Sequence, residues 1–171
     1  DTGIDLDSPE FTGRIHPDSR DVAGNRSVDG EDDHGTNVAL VAAAARNDTG
    51  ILGIAYDARV LALRADRPGT CGDDTPENTN LTCSFSDGDI ARGIDQAVSS
   101  GATVINLSLG GGASQALDEA VEEASALGIT MVLAAGNENA DACQTSPARV
   151  GDALTVGASD KTDPRADFSN W

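Results

Sequence analysis

The stretch "ATVINLSLGGGASQALDEAVEEASALGITMVLAAGN" (102–137) sets two apolar runs on either side of one amphipathic segment. Val104, Ile105, Leu107 and Leu109 read as a strand buried on both faces, ended by three glycines. Between 114 and 128 the apolar period changes from strand-like to helical. Leu117, Val121 and Ala124 make the stripe, Ser114 is placed as N-cap, and Gly128 ends the segment. "ITMVLAAGN" then returns as a second buried strand. Strand, helix, strand is the signature of a parallel sheet with helices on its faces.

The same alternation continues outward. "DGDIARGIDQAVSSG" (87–101) carries Ile90, Ile94, Ala97 and Val98 at helical spacing, with Gly101 as the stop. "RVLALRA" (59–65) and "ALTVGAS" (153–159) read as further buried strands. The chain is therefore expected to be α/β, and 171 residues suit one domain, 1–171, without internal repeats. In such sheets functional residues gather at the carboxyl ends of the strands, where "SLGGG" and "AAGN" both fall.

Charge narrows the partners. Asp and Glu total 29 against 11 Lys and Arg, a net charge of −18, and Lys161 is the sole lysine. A surface this negative repels nucleic acid and anionic membranes, and no apolar run approaches the length that crosses a bilayer. Solvation in a salty or extracellular medium and a coding bias toward Asp and Arg both account for the acidity. Three cysteines are present. Cys71 and Cys83 bracket the polar stretch "CGDDTPENTNLTC", and a disulfide between them would contribute about 3 kcal/mol and suit an oxidising compartment. Cys143 is left free or paired outside the chain.

Three motifs carry chemistry. "DTGIDLDSPEF" (1–11) offers Asp1 as half of a shared-proton aspartate dyad or as the acid that orients a histidine; alternatively Asp5 and Asp7 are the paired aspartates of a phosphatase. The dyad needs a second Asp-Thr/Ser-Gly on an all-β fold, and this α/β chain has one. In "DDHGTNVALVAAAARND" (32–48), His34 opens a helix whose expected buried face is Val38, Val41 and Ala45. His34 can be a catalytic base, a helix-start residue of no consequence, or a metal ligand beside Asp29, Glu31, Asp32 and Asp33. In "LAAGNENAD" (133–141), Asn137 is either a turn residue or an amide donor to a developing oxyanion.

Taken in order, Asp-Thr-Gly, His-Gly-Thr, Ser-Leu-Gly-Gly and Ala-Ala-Gly-Asn resemble the subtilisin-like serine proteases, the subtilases, from end to end of the chain. "GILGIAYDARVLALR" and "GDALTVGAS…DFSNW" are similar to subtilase segments too. Within the family the second half leans toward proteinase K and its bacterial secreted relatives, and the cysteine-bearing insert resembles subtilase domains of bacterial autotransporters. The resemblance implies a three-layer, doubly wound, mainly parallel sheet, cut at both ends. It makes Asp1 the acid that fixes the imidazole tautomer, His34 the general base and then general acid, and Asn137 the oxyanion donor. Ser108, Leu109, Gly110 and Gly111 would pair with an extended peptide, and Ala135 and Gly136 would line the first pocket. The segment Ser84–Ser86 would flank the peptide, with the Cys71–Cys83 loop near the cleft.

What the resemblance implies overall is a secreted, monomeric serine endopeptidase acting on polypeptides, with no cofactor for the chemistry. Many subtilases bind structural calcium, and the resemblance makes the carbonyls of Gly151 and Ala153 candidate contributors to one such site, whose carboxylate would lie beyond Trp171; Asp73, Asp74 and Glu77 read as solvated loop acids first and as a calcium set second. Two positions depart from the family: Asn37 stands for a second histidine, and Leu40 for a glycine. The family's Gly-Thr-Ser-x-Ala nucleophile motif does not occur in residues 1–171. The chain alone is therefore expected to be inactive, since loss of the serine costs about 10⁶ in kcat in subtilisin. A pseudoprotease of the same fold, binding peptides without cutting them, is the alternative, and an Asp5/Asp7 phosphatase is a further one.

Overall fold

The computed structural model describes residues 1–30, 33–71 and 83–171. They form two compact units, Asp1–Gly93 and Ile94–Trp171. The elements of the first unit are β1 (Arg20–Asp21), α1 (His34–Ala43) and β2 (Leu63–Arg64), and α2 (Asp87–Ser99) runs across the division. The second unit holds β3 (Val104–Leu107), α3 (Gln115–Ala126), β4 (Thr130–Ala134) and β5 (Leu154–Val156).

In the second unit β3, β4 and β5 form a parallel sheet in that order, with Ile105 opposite Met131 and Leu107 opposite Leu133. Those four side chains share one face and are buried, and α3 packs on β4 with Leu117, Val121 and Ala124 buried. Burying side chains of this size stabilises by about 1.5–3 kcal/mol each. The hydroxyl of Ser114 accepts from the Leu117 N–H at 3.4 Å, and Gly128 takes φ +86° just past the helix end, as the spacing requires.

The strands, however, are not buried throughout: β3 and β4 bury alternate residues only, and β5 is exposed at all three positions. Val104, Leu154 and Val156 are more than half exposed, which corrects the expectation that β3 and residues 153–159 are buried throughout. A continuous apolar run looks the same whether one or both faces are covered.

The first unit pairs β1 with β2 in parallel, Arg20 opposite Leu63 and Asp21 opposite Arg64, with a parallel bridge between Ile15 and Val60. Its core is Ile4, Phe11 and Val28, against which Ile15, Ala39, Leu40, Val60 and Ala62 pack. Two expectations are corrected here. In "RVLALRA" only Leu63–Arg64 is ladder-paired, and the buried residues are Arg64 and Ala65, with the aliphatic ones half-buried. On α1 the inward face is Gly35, Ala39, Leu40 and Ala43, while Val41 is 66% exposed. A Cβ on Gly35 would lie 2.2 Å from the Gly3 carbonyl oxygen. That close approach sets the rotation of the helix and brings the i+4 and i+8 positions, Ala39 and Ala43, inward.

No helix among the described residues is long and apolar enough to cross a membrane. Cys71 and Cys83 are joined as a disulfide, Cα atoms 4.4 Å apart, and Cys143 is free and exposed.

Candidate active site

Asp1 and His34 lie 33 positions apart and meet. The His34 Nδ1 is 2.8 Å from the Asp1 Oδ1, which also accepts from the Thr2 N–H at 2.7 Å. His34 is the first residue of α1, so its ring projects from the helix start and stays half exposed. A carboxylate held against Nδ1 leaves Nε2 as the nitrogen for proton transfer.

The two motifs are clasped by their threonines. The Gly35 N–H donates to the Thr2 Oγ1 at 2.9 Å, and the Asp5 N–H donates to the Thr36 Oγ1 at 2.8 Å. Gly3, at φ +102°, has room for no side chain, because its Cβ would sit 2.5 Å from the Val28 carbonyl oxygen. The Ala65 N–H donates to the Asp1 carbonyl at 2.9 Å and ties the acid to the end of β2.

In the second unit, Ala135, Gly136 and Asn137 follow β4 directly at its carboxyl end, as the sheet pattern requires. Asn137 is exposed, and its own N–H donates to the Glu138 Oε2 at 2.9 Å. Beneath them lies Asn170, 1% exposed, which bonds Ala135, Glu138 and Ala140. Ser108–Gly111 leaves β3 at the same edge. Gly111 already pairs with Ser146 in an antiparallel bridge, its N–H donating to the Ser146 carbonyl at 2.9 Å and its carbonyl accepting from Ser146 at 3.3 Å. The peptide groups of Gly111 are thus spent inside the chain. The Ser108 hydroxyl accepts from Asn106 at 2.9 Å.

Other candidates resolve differently. The side chain of Asp5 accepts from the Asp7 N–H at 2.8 Å in a local turn, and both residues are exposed, so they do not converge on a pocket. Asp29 accepts from the Leu6 N–H at 3.4 Å. Among the described residues no group of three or more His, Cys, Asp or Glu could hold a metal ion. Glu31, Asp32, Asp73, Asp74 and Glu77 lie outside the described residues. Gly151 and Ala153 line a cavity of about 650 Å³ together with Asp163, Arg165 and Trp171. In the Ser84–Ser86 segment Phe85 bridges Asp66, and the Ser86 hydroxyl accepts from the Asp89 N–H at the start of α2.

Sequence reasoning missed Thr2, Thr36, Glu138 and Asn170 as working parts. All four lie within or beside quoted motifs, and their roles are bonds made mostly across about thirty residues of chain.

Comparison with known proteins gives the same assignment. The subtilase family, peptidase S8, matches residues 1–171. Subtilisin-like protease 3 of Pseudogymnoascus destructans is 40% identical over 171 residues, covering 100% of this chain and 39% of that protein. The extracellular serine proteinase of Thermus sp. is 41% identical over 174 residues, covering 100% of this chain and 38% of that protein. A solved cold adapted subtilisin-like serine proteinase superposes with a TM-score of 0.80 at 36% identity, covering 100% of this chain and 57% of that one. The chain spans between about two fifths and three fifths of the length of these relatives. Matched along its whole length, with the Asp-Thr-Gly and His-Gly-Thr motifs clasped to each other, the chain belongs to the subtilase family.

Proposed function

We propose that the protein carrying this chain is a secreted, monomeric serine endopeptidase that hydrolyses polypeptides through an acyl-enzyme. The observation that carries this reading is the 2.8 Å bond between Asp1 and His34, made where α1 begins. Asp1 fixes the tautomer and stabilises the imidazolium that forms. His34 takes the proton of a serine hydroxyl supplied from outside residues 1–171, then returns it to the leaving amine. Asn137 donates its side-chain amide to the oxyanion of the tetrahedral intermediate, where a donor counts most because it is placed in advance. Backbone groups of Ser108–Gly110 pair with the extended substrate, and Ala135 and Gly136 line the first pocket. Extracellular relatives, the Cys71–Cys83 disulfide and the −18 charge support secretion. A structural calcium at Gly151 and Ala153 belongs to this reading with its carboxylate ligands supplied from outside the chain.

The test uses the full-length protein. It is expected to hydrolyse a peptide anilide and to be labelled by a fluorophosphonate, both abolished by substitution of one serine. Asn137→Leu is expected to lower kcat by about 10²–10³-fold with little change in KM, the range known for this donor in subtilisin. A folded protein that binds peptides yet neither cleaves them nor takes the label is a pseudoprotease, and the enzyme reading fails.

A further inference from the structure

We propose that Asn170 is the positioning residue for the oxyanion donor Asn137, and that Gly136 is obligatory between them because no side chain fits there. The proposal rests on the role given to Asn137 above.

The Asn170 side chain is buried and uses its whole hydrogen-bonding capacity on one short loop. Its Nδ2 donates to the Ala135 carbonyl and to the Glu138 Oε2, each at 2.9 Å. Its Oδ1 accepts from the Glu138 N–H at 3.0 Å and the Ala140 N–H at 2.9 Å. Its own N–H donates to the Gly136 carbonyl at 3.0 Å. Two donors and two acceptor lone pairs are the full inventory of a primary amide, and all four are engaged. The chain is therefore fixed on both sides of Asn137, while the Asn137 side chain stays outside. The Glu138 carboxylate closes the arrangement by accepting from both the Asn137 N–H and Asn170.

Substitutes for Asn170 fail on chemistry. Aspartate keeps the acceptor but sets a carboxylate against Glu138 and the Ala135 carbonyl, and leucine leaves three peptide groups without partners. Gly136 sits at φ +107°, and a Cβ there would lie 2.3 Å from the Asn170 Nδ2 and 2.6 Å from the Glu138 Oε2. The contact continues along the chain. The Asn139 N–H donates to the Phe168 carbonyl at 2.8 Å, the Trp171 N–H to the Ala140 carbonyl at 3.1 Å, and the Ala142 N–H to the Trp171 carbonyl at 3.0 Å. Arg165 bonds the Asn139 Oδ1 at 3.0 Å and lies 5.0 Å over the Trp171 ring. The segment 165–171 is thus a brace for 135–142. An oxyanion donor stabilises charge only where its N–H is held in place, and misplacement by about 1 Å costs about a hundredfold.

The experiment is a double-mutant cycle in the full-length protein: wild type, Asn137→Ala, Asn170→Ala and the double variant. Readouts are kcat and KM on a peptide anilide and the affinity of a peptidyl boronate, which forms a tetrahedral adduct. Asn170→Ala is expected to lower kcat about tenfold to a hundredfold, with KM nearly unchanged and boronate affinity falling in parallel. In the Asn137→Ala background it is expected to cost nothing further, because its effect acts through the donor already removed. Additive losses, or an unchanged kcat in folded Asn170→Ala, overturn the proposal while leaving Asn137 in its role. An unchanged kcat in Asn137→Ala removes that role, and the proposal with it. Should Asn170→Ala not fold, Glu138→Ala carries the test, since its side chain is exposed and it deletes both the bond from Asn170 and the bond from the Asn137 N–H. Its kcat is expected to fall about fivefold, again only when Asn137 is present, and no change overturns the proposal.

Discussion

In the full-length protein, His34→Ala is expected to lower kcat by about 10⁶-fold, and fluorophosphonate labelling is expected to disappear with it. The size follows from how the group acts. Asp1 contributes only through the imidazole it holds at 2.8 Å, and a serine hydroxyl without a base is a poor nucleophile at neutral pH. On the proposed mechanism, removing the histidine removes the triad as a unit, as it does in subtilisin, where the single loss equals the loss of all three members. Asp1→Asn is expected to cost less, about 10⁴-fold, since it leaves an imidazole present in the wrong tautomer. The variant should fold, because the ring is half exposed and the helix it opens is held instead by Gly35 against Gly3 and by Thr2. Equal circular dichroism with a kcat reduced less than tenfold would remove Asp1 and His34 from the chemistry. A loss of a millionfold in both kcat and kcat/KM, with KM steady, marks a group that acts in the transition state.

How far these elements could be read from sequence depends on what fixes each one. The helix Gln115–Ala126 was legible to within a residue because its cap, its stripe and its terminal glycine all agree. The face of α1 was not. "HGTNVALVAA" is apolar almost all round, so periodicity gives a helix without a phase, and the phase comes from the approach of Gly35 to Gly3. The alternation in "VINL" held the clue that Val104 and Asn106 share a face that β3 does not bury. The meeting of Asp1 with His34 could be read because family motifs mark both residues. Asn170 could not be given a function, because its four side-chain bonds reach back 30 to 35 positions and leave no local pattern. The same is true of Arg64, an arginine in an aliphatic run, which the apolar pattern assigns to a strand without saying how its charge is met.

How that charge is met makes the second large prediction, that Asp66→Ala destabilises the full-length protein by about 3–5 kcal/mol. Asp66 is fully buried and Arg64 is 1% exposed. The Arg64 Nε donates to the Asp66 Oδ1 at 2.9 Å, and the Arg26 guanidinium donates to the Asp66 Oδ2 at 2.8 Å while also gripping Asp21. With Asp66 gone, Arg64 loses the carboxylate that its Nε and Nη2 both bond, while its contacts to the carbonyls of Ser27 and Asp29 remain. The penalty is that of removing one partner from a buried charge cluster, since Asp66 bonds both Arg64 and Arg26. Replacing Arg26, Arg64, Asp21 and Asp66 together by apolar residues of matching volume should therefore cost far less than the single change. The cluster also predicts the acid limb of stability. Burial pushes the Asp21 carboxyl up, but hydrogen bonds from the Arg26 side chain, the Arg26 N–H and the Ala23 N–H outweigh it and hold the group below the ordinary carboxylate range. A group lowered in the folded state stabilises above its unfolded value, near pH 4, and that contribution fades as pH falls through the folded value. Denaturant titration at pH 7 and at successively lower pH should show Asp66→Ala weakened at neutral pH, and Asp21→Asn with a shallower acid slope than wild type. The link to chemistry is direct, since β2 ends at Arg64 and the next N–H, that of Ala65, holds the Asp1 carbonyl. An Asp66→Ala protein within about 1 kcal/mol of wild type would mean that Arg64 and Arg26 find other partners or water once Asp66 is removed, and would overturn this account of the cluster.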